Sequence, residues 1–414
     1  MTQAAAARQA VFQAPGFRLL LWARIFNALG GAGFATVIGY QLYEITRDPL
    51  SLGWLGLVEA IPALSLALLG GYIADRYDRK RIVLMMAAVE VVCMVLLTGL
   101  AFDPLHYGLL SIYGVVFLLG TAFGFNRPAT SAFEQQVIPI RHAARGASWL
   151  SSVWQTGAIF GGPLAGFAID GLGIPWTYLL VALLLLLSAG CVFLIPPMPA
   201  PPPPAAGETI WQSLRQGIHY VFKSQPLAGS MALDLFAVLF GGAIALLPVF
   251  ATDILHVGAT GLGILRTAPS IGAMIVFVLA TRQPPTDHAG RNLLICVAGF
   301  GVSMIVFGLS RNFVLSLVAL FFSGLFDGVS MIIREVIMRV LSPEQMRGRI
   351  ASVSWIFVGA SNELGALESG VAARFLGTAS SVLIGGCVTL LVVAAVASTM
   401  PQLRALSLPD AMDG

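Results

Sequence analysis

Long apolar runs broken by short polar joints repeat along the whole chain. Crossing the hydrocarbon of a bilayer takes about 20 mainly apolar residues. Twelve runs are of this order, over roughly 18–43, 51–75, 82–101, 107–130, 145–169, 174–195, 227–252, 258–281, 291–310, 312–335, 349–373 and 378–400. Each predicts a membrane-spanning helix. Gly30, Gly31, Gly33, Pro62, Pro163, Pro248 and Pro269 fall inside these runs. Lipid-embedded helices tolerate them, because neighbours re-satisfy the backbone and small residues let helices approach closely. The expected fold is an all-α membrane protein with 12 transmembrane helices.

The joint between the second and third runs, Gly71-Tyr72-Ile73-Ala74-Asp75-Arg76-Tyr77-Asp78-Arg79-Lys80-Arg81, is a dense block of charge. Cytoplasmic loops carry an excess of Lys and Arg, so this joint is expected in the cytoplasm, and alternation orients the other spans. Of the 23 lysines and arginines, sixteen then lie on the cytoplasmic side, and Arg47, Arg311 and Arg374 lie outside. Arg24, Arg127, Arg266 and Arg334 fall within spans. Both termini are expected in the cytoplasm. The first apolar run is longer than a signal-peptide core and is read as a retained helix.

One connection is long. Residues 196–226 begin with a proline-rich spacer, Pro196-Pro197 to Pro201–Pro204, which is stiff and extended. Ile210, Trp211, Leu214, Ile218 and Phe222 then recur at helical spacing, as in a helix lying in the membrane interface. The expected domains are a six-helix bundle over 1–195, a cytoplasmic linker over 196–226 and a second six-helix bundle over 227–414. The halves also match each other. An offset of 210 places Leu52-Gly53 on Leu262-Gly263 and Gly31 on Gly241, and an offset of 202 places Arg145-Gly146 on Arg347-Gly348. Two parallel six-helix repeats are a plan of alternating-access transporters.

Composition agrees and excludes other classes. The chain is 57% hydrophobic and 10% charged, with a net charge of +3, against roughly 25% charged residues in soluble domains. Its only lysines are Lys80 and Lys223, so a nucleic-acid role lacks electrostatic support. Cys93, Cys191, Cys296 and Cys387 sit far apart in apolar runs and read as small hydrophobes. No Cys/His cluster suggests a metal, and no cofactor is expected. Neither lysine follows a glycine, so the phosphate-binding Gly-Lys-[Ser/Thr] element is missing and an ion gradient is left as the energy source.

The charged joint is similar to the loop signature of the major facilitator superfamily, at Gly71, Asp75, Arg76, Arg79 and Lys80, with Asp78 where glycine is usual. The run Ala158-Ile159-Phe160-Gly161-Gly162-Pro163-Leu164-Ala165-Gly166 resembles the superfamily's antiporter motif at Gly162, Pro163 and Gly166, with Ala158 and Phe167 where glycines are common. The proline spacer, the helix ending in Lys223-Ser224-Gln225-Pro226-Leu227, and the turn Met346-Arg347-Gly348-Arg349 resemble the branch that holds siderophore exporters and macrolide-efflux transporters. The resemblance implies a monomeric, proton-coupled exporter of a siderophore or amphipathic drug-like molecule in the bacterial inner membrane. A metabolite importer or uniporter on the same fold is the alternative. An intramembrane enzyme would need a buried His, Ser or Asp constellation, and the five histidines lie at segment ends or in loops. A non-transporting scaffold would not need charges on several helix interiors.

An ionisable residue within a span is a functional candidate, although structural ion pairs and span-end positions explain many. The interior set is Arg24, Glu59, Glu90, Arg127, Asp234, Arg266, Asp327, Arg334, Glu335, Glu363 and Glu368. The resemblance implies that the first, fourth, seventh and tenth helices line the cavity. That singles out Arg24, Asn27, Arg127, Asp234 and Asp327, with Trp154, Gln155, Phe236 and Trp355 as further cavity candidates. Proton coupling needs a carboxylate whose protonation changes with access, and desolvation favours the neutral form. Asp327 and Asp234 rank first for that role, then Glu363 and Glu59. Arg24 and Asp234 match under the 210 offset with opposite signs and are expected to pair as a gate. Gly71, Asp75, Arg76, Arg79 and Lys80, with Arg347 and Arg349, are expected to form a conformational latch.

Overall fold

The computed structural model describes residues 16–138, 143–198, 210–241, 243–280, 287–343 and 346–407. Among them there is no strand. The first half folds as α1 (Phe17–Thr46), α2 (Pro49–Ala74), α3 (Arg79–Phe102), α4 (Pro104–Val137), α5 (Ala143–Leu172) and α6 (Ile174–Leu194). Helix α4 is interrupted at Gly108, whose φ of 70° and ψ of 160° are non-helical. At its other end it runs past residue 130, where the apolar pattern stops, to Val137.

After the spacer comes α7 (Ile210–Lys223), then α8 (Gln225–Phe240) and α9 (Ala243–Val249), which continues as a π-helical turn over Phe250–Ile254. The seventh run is therefore not one continuous α-helix. Gly241 caps α8 with φ −90° and ψ 14°, and a Cβ there would strike the Phe300 ring and the carbonyl of Ala237. The remaining helices are α10 (Gly258–Ala280), α11 (Ala289–Leu309), α12 (Phe313–Leu341), α13 (Arg347–Leu376), α14 (Thr378–Thr399) and the short α15 (Pro401–Arg404).

Among the described residues, ten helical stretches are long and apolar enough to cross a membrane. Helices α5 and α13 cover the fifth and eleventh predicted runs at 30 residues each and are not among the ten. Ser151, Ser152, Gln155 and Thr156 in α5, and Asn362, Glu363 and Glu368 in α13, lower their hydropathy.

The chain forms two compact units. The first holds residues 16–45, 58–198 and 258–264 of the described chain, and the second holds the rest. In the first unit α3 packs on both α4 and α6; in the second α11 packs on both α12 and α14. The third helix of each half is thus flanked by the fourth and sixth. Backbone corners repeat too: Gly173 before α6 and Gly377 before α14 both have φ 90°, and Arg47 and His256 have φ 50° and 53°. This regularity deepens the repeat that glycine matches alone suggest.

Each unit has its own core. One gathers Phe17, Leu20, Ile82, Phe133, Leu150 and Ile195 from α1, α3, α4, α5 and the end of α6. The other gathers Val221, Leu233, Leu293, Ile333, Ile350 and Leu403. The amphipathic α7 joins the second, burying Val221 and donating from the Tyr220 hydroxyl to the Leu341 carbonyl at 2.9 Å.

Small residues set the closest approaches. Along α5, Gly157 and Gly161 meet α1 at Ala28, Leu29 and Ala32, while Gly166 meets the backbone of Ala259 and Thr260. Gly263 meets Gly162 and Pro163. Asp170, at the end of α5, accepts the Thr260 amide at 3.0 Å, near the start of α10. In the second unit, α13 repeats the pattern. Gly365 lies against Val238 and Leu239, Gly370 lies against Gly53, and Gly53 lies against Ala366 and Leu367. The antiporter-like residues Gly162, Pro163 and Gly166 therefore lie on packing surfaces.

Candidate functional site

Charged side chains within the helices gather into small groups, one set in each unit. In the first unit the Arg24 guanidinium on α1 lies 3.3 Å from the Glu134 carboxylate on α4. The same guanidinium stands over the Trp154 ring of α5, 4.8 Å from its centroid, a cation–π geometry. Arg24 and Glu134 are mostly buried, at 27% and 15% exposure. Asn27 and Gln155 are partly buried on the same helices, α1 and α5.

Sequence reasoning misses Glu134. The fourth apolar run ends at residue 130, so Glu134-Gln135-Gln136 reads as loop. The helix instead continues for a further two turns. The usable signal is Arg24 itself, since an intramembrane cation calls for an acid.

A second group joins α2, α3 and α4. Asn126 donates to Glu90 at 2.6 Å, and Thr130 donates to Asn126 at 2.9 Å. Arg127 acts electrostatically on both Glu59 and Glu90 and lies 5.4 Å from the Phe123 ring centroid. Glu90 is buried between neighbouring helices, and this hydrogen-bonded chain makes it a packing element of the α3–α4 contact.

In the second unit one guanidinium serves two acids. Arg334 on α12 is in direct contact with Asp234 on α8, and its other terminal nitrogen lies 3.7 Å from Asp327, also on α12. Asp234 is buried and Asp327 is about half exposed, with side-chain exposures of 9% and 45%. Phe236 stacks on Phe240 at 6.2 Å on the same face of α8. The group carries two negative charges against one positive, so a single proton makes it neutral.

Arg24 and Asp234 thus each have a partner of opposite sign inside their own unit. Pairing them with each other requires both to leave those partners. Glu363 lies against Gly56, where a Cβ would come within 2.8 Å of its Oε2. Arg347, Arg349 and Trp355 belong to α13, and their side chains lie outside the described residues.

The charged joint is a set of helix-end contacts. Asp78 is the N-cap of α3, with φ −60° and ψ 108°, and accepts the amides of Lys80 and Arg81 at 2.9 and 3.3 Å. No left-handed residue is needed there, so aspartate serves in place of glycine. Arg79 donates to the Ala74 carbonyl at the end of α2 and to Ala132 in α4, at 3.0 and 3.4 Å, and lies 3.8 Å from Asp75. Lys80 donates to the Phe193 and Ile195 carbonyls at the end of α6, where a cation is favoured by the helix dipole. Arg76 covers the Tyr72 ring. A Cβ at Gly71 would meet nothing within 4 Å, whereas one at Gly70 would strike Gly124 and Phe125 of α4. The steric need for glycine falls on residue 70.

Many apolar helices, ion pairs between them and small-residue packing define a polytopic membrane protein. The sequence matches the Major Facilitator Superfamily over residues 20–284, and the chain belongs to it. It is a multi-pass membrane protein that transports small molecules and is not an enzyme. Relatives include the enterobactin exporters of Escherichia coli O1:K1 and of Shigella boydii serotype 18. Each is 25% identical over 349 residues, covering 81% of this chain and 80% of the relative. Solved structures of similar fold include a POT family transporter in complex with 5-aminolevulinic acid, 13% identical with a TM-score of 0.75 over 94% of this chain and 97% of that one. Another is a bacterial homologue of the human lysosomal transporter Spinster, inward-facing and unoccupied, 15% identical with a TM-score of 0.68 over 94% and 96%. At these identities the likeness is of fold alone.

Proposed function

We propose that this chain is a proton-coupled exporter of the bacterial inner membrane. It moves a siderophore or amphipathic drug-like molecule outward by alternating access, as a monomer of twelve spans with both termini in the cytoplasm. The bundles at 1–195 and 227–414 work about the linker at 196–226. The observation that carries the coupling is the shared guanidinium of Arg334. Asp234 is held by it and buried, while Asp327 is farther from it and partly exposed. A proton entering at Asp327 cancels the excess negative charge and frees Arg334 to serve Asp234 alone. Glu363 and Glu59 are the next carboxylates in rank.

Support for a siderophore-like or bulky aromatic cargo comes from the enterobactin-exporter relatives, 25% identical over 349 residues, and from the aromatic candidates. Arg24, Asn27, Arg127, Trp154, Gln155, Phe236 and Trp355 are assigned to the substrate path. Asp75, Arg76, Arg79, Arg347 and Arg349 are assigned to a latch, with Gly71 and Lys80 beside it. The direct test is export in a host lacking its own pumps, with enterobactin secretion and resistance to a panel of antibiotics as readouts. Energy-dependent export of at least one compound, abolished by a protonophore, is the expected result. Export that persists undiminished when the proton gradient is collapsed would contradict it.

A further inference from the structure

Arginines in the helix interiors of this protein come with acids. Arg24 has Glu134, Arg334 has Asp234 and Asp327, and Arg127 acts on Glu59 and Glu90. Arg266 on α10 departs from the rule. Among the described residues it has neither an acid nor a hydrogen-bond partner, and its Nε is sealed from the surface unpaired. A guanidinium stays charged in proteins, and a cation inside a membrane helix is expensive unless something answers it.

Its depth and face narrow what that something is. Arg266 is the ninth residue of α10, about 12 Å along the axis from its start at 1.5 Å per residue. It precedes Pro269 and Ser270 by one turn, so it shares their side of the helix. Pro269, Gly272 and Ala273 lie against α12, where Gly324 and Gly328 admit them. The exposed apolar face, with Ile271, Ile275, Val278 and Leu279, is elsewhere. The unpaired cation is therefore on the packed side of the helix.

We infer that Arg266 binds an anionic group of the transported molecule, a carboxylate, sulfonate or phosphate that its planar fork takes with two parallel hydrogen bonds. This deepens the exporter reading and rests on it. It makes Arg266 a specificity-determining residue: a cargo of the same shape without the charge leaves the guanidinium unanswered and is held less well.

The test uses full-length protein in phosphatidylcholine nanodiscs, with pyrenebutyrate, its primary amide and a pyrene-alkylammonium as size-matched probes read by tryptophan quenching. Wild type should bind the carboxylate at least about tenfold more tightly than the amide, the scale of a lost charged hydrogen bond. Arg266→Gln should bring the two within about twofold while leaving amide affinity unchanged, and Arg266→Lys should keep part of the preference because the charge remains without the fork. If Arg266→Gln does not fold, the wild type and Arg266→Lys carry the comparison, and equal preferences overturn the inference. Binding of the amide or cation without preference for the carboxylate also overturns it and leaves the exporter reading standing. A preference abolished by adding phosphatidylglycerol assigns the guanidinium to lipid and overturns it likewise. If wild type binds no probe and moves none in proteoliposomes, both readings fall.

Discussion

Arg24 on α1 and Asp234 on α8 hold matching places in the two halves and are answered in the same way with the signs exchanged. Arg24 meets Glu134 on α4, and Asp234 meets Arg334 on α12. In each half the first helix is tied to the fourth by one ion pair. The two ties differ in that Arg334 also faces a further acid, Asp327, at 3.7 Å.

Exchange of the first pair is the simplest check. Arg24→Glu alone sets two carboxylates against each other beside Trp154, and the protein should lose about 1–3 kcal/mol, between the exposed and fully buried limits for ion pairs. Arg24→Glu with Glu134→Arg should recover most of that loss in thermal melting. A double variant no better than the worse single one argues against a direct pair.

For Arg334 the expected loss is larger, since both it and Asp234 are almost fully buried. Arg334→Gln strands two acids and should cost about 3–5 kcal/mol. Asp234→Asn in the same chain should restore part of it, with a coupling energy of about 1–3 kcal/mol in a double-mutant cycle. Additive effects would remove the pair from the account.

The loop signature separates two adjacent glycines. Gly71→Ala meets open space within a helix and should be neutral or stabilising by up to about 1 kcal/mol. Gly70→Ala drives a methyl into the α4 backbone and should destabilise by about 1–3 kcal/mol. Melting temperatures of the two variants in one detergent decide the matter, and equal shifts would refute it.

Asp78 offers a milder contrast. As an N-cap accepting two amides, it should lose about 1 kcal/mol on replacement by alanine but only a few tenths on replacement by glycine. The glycine variant should therefore melt close to the native protein. Equal losses for both would contradict the tolerance of glycine at this cap.

The sequence showed the helices and their order because lipid imposes a length and a polarity that single runs must satisfy. It was less informative where a helix outlasts its apolar stretch. Glu134 lies past the end of the fourth run, so the acid that answers Arg24 was invisible, and the match between Arg24 and Asp234 suggested a pair with each other instead. The break at Gly241 was also hidden, since an apolar run says nothing about continuity of hydrogen bonding. By contrast the triad of Asp234, Asp327 and Arg334 had all its members in the interior set, because each is an ionisable residue within a predicted span. Their grouping depended on α8 and α12 coming together, which no local pattern encodes.

The central claim is that the excess charge shared by Asp234, Arg334 and Asp327 couples a proton to transport. The most direct measurement is substrate-driven proton movement in proteoliposomes, comparing wild type with Asp327→Asn and using enterobactin as the cargo. Wild type should release about one or more protons from the lumen for each molecule taken in, and Asp327→Asn should still exchange substrate across the membrane without moving protons. Proton movement per substrate that is unchanged in Asp327→Asn would contradict it.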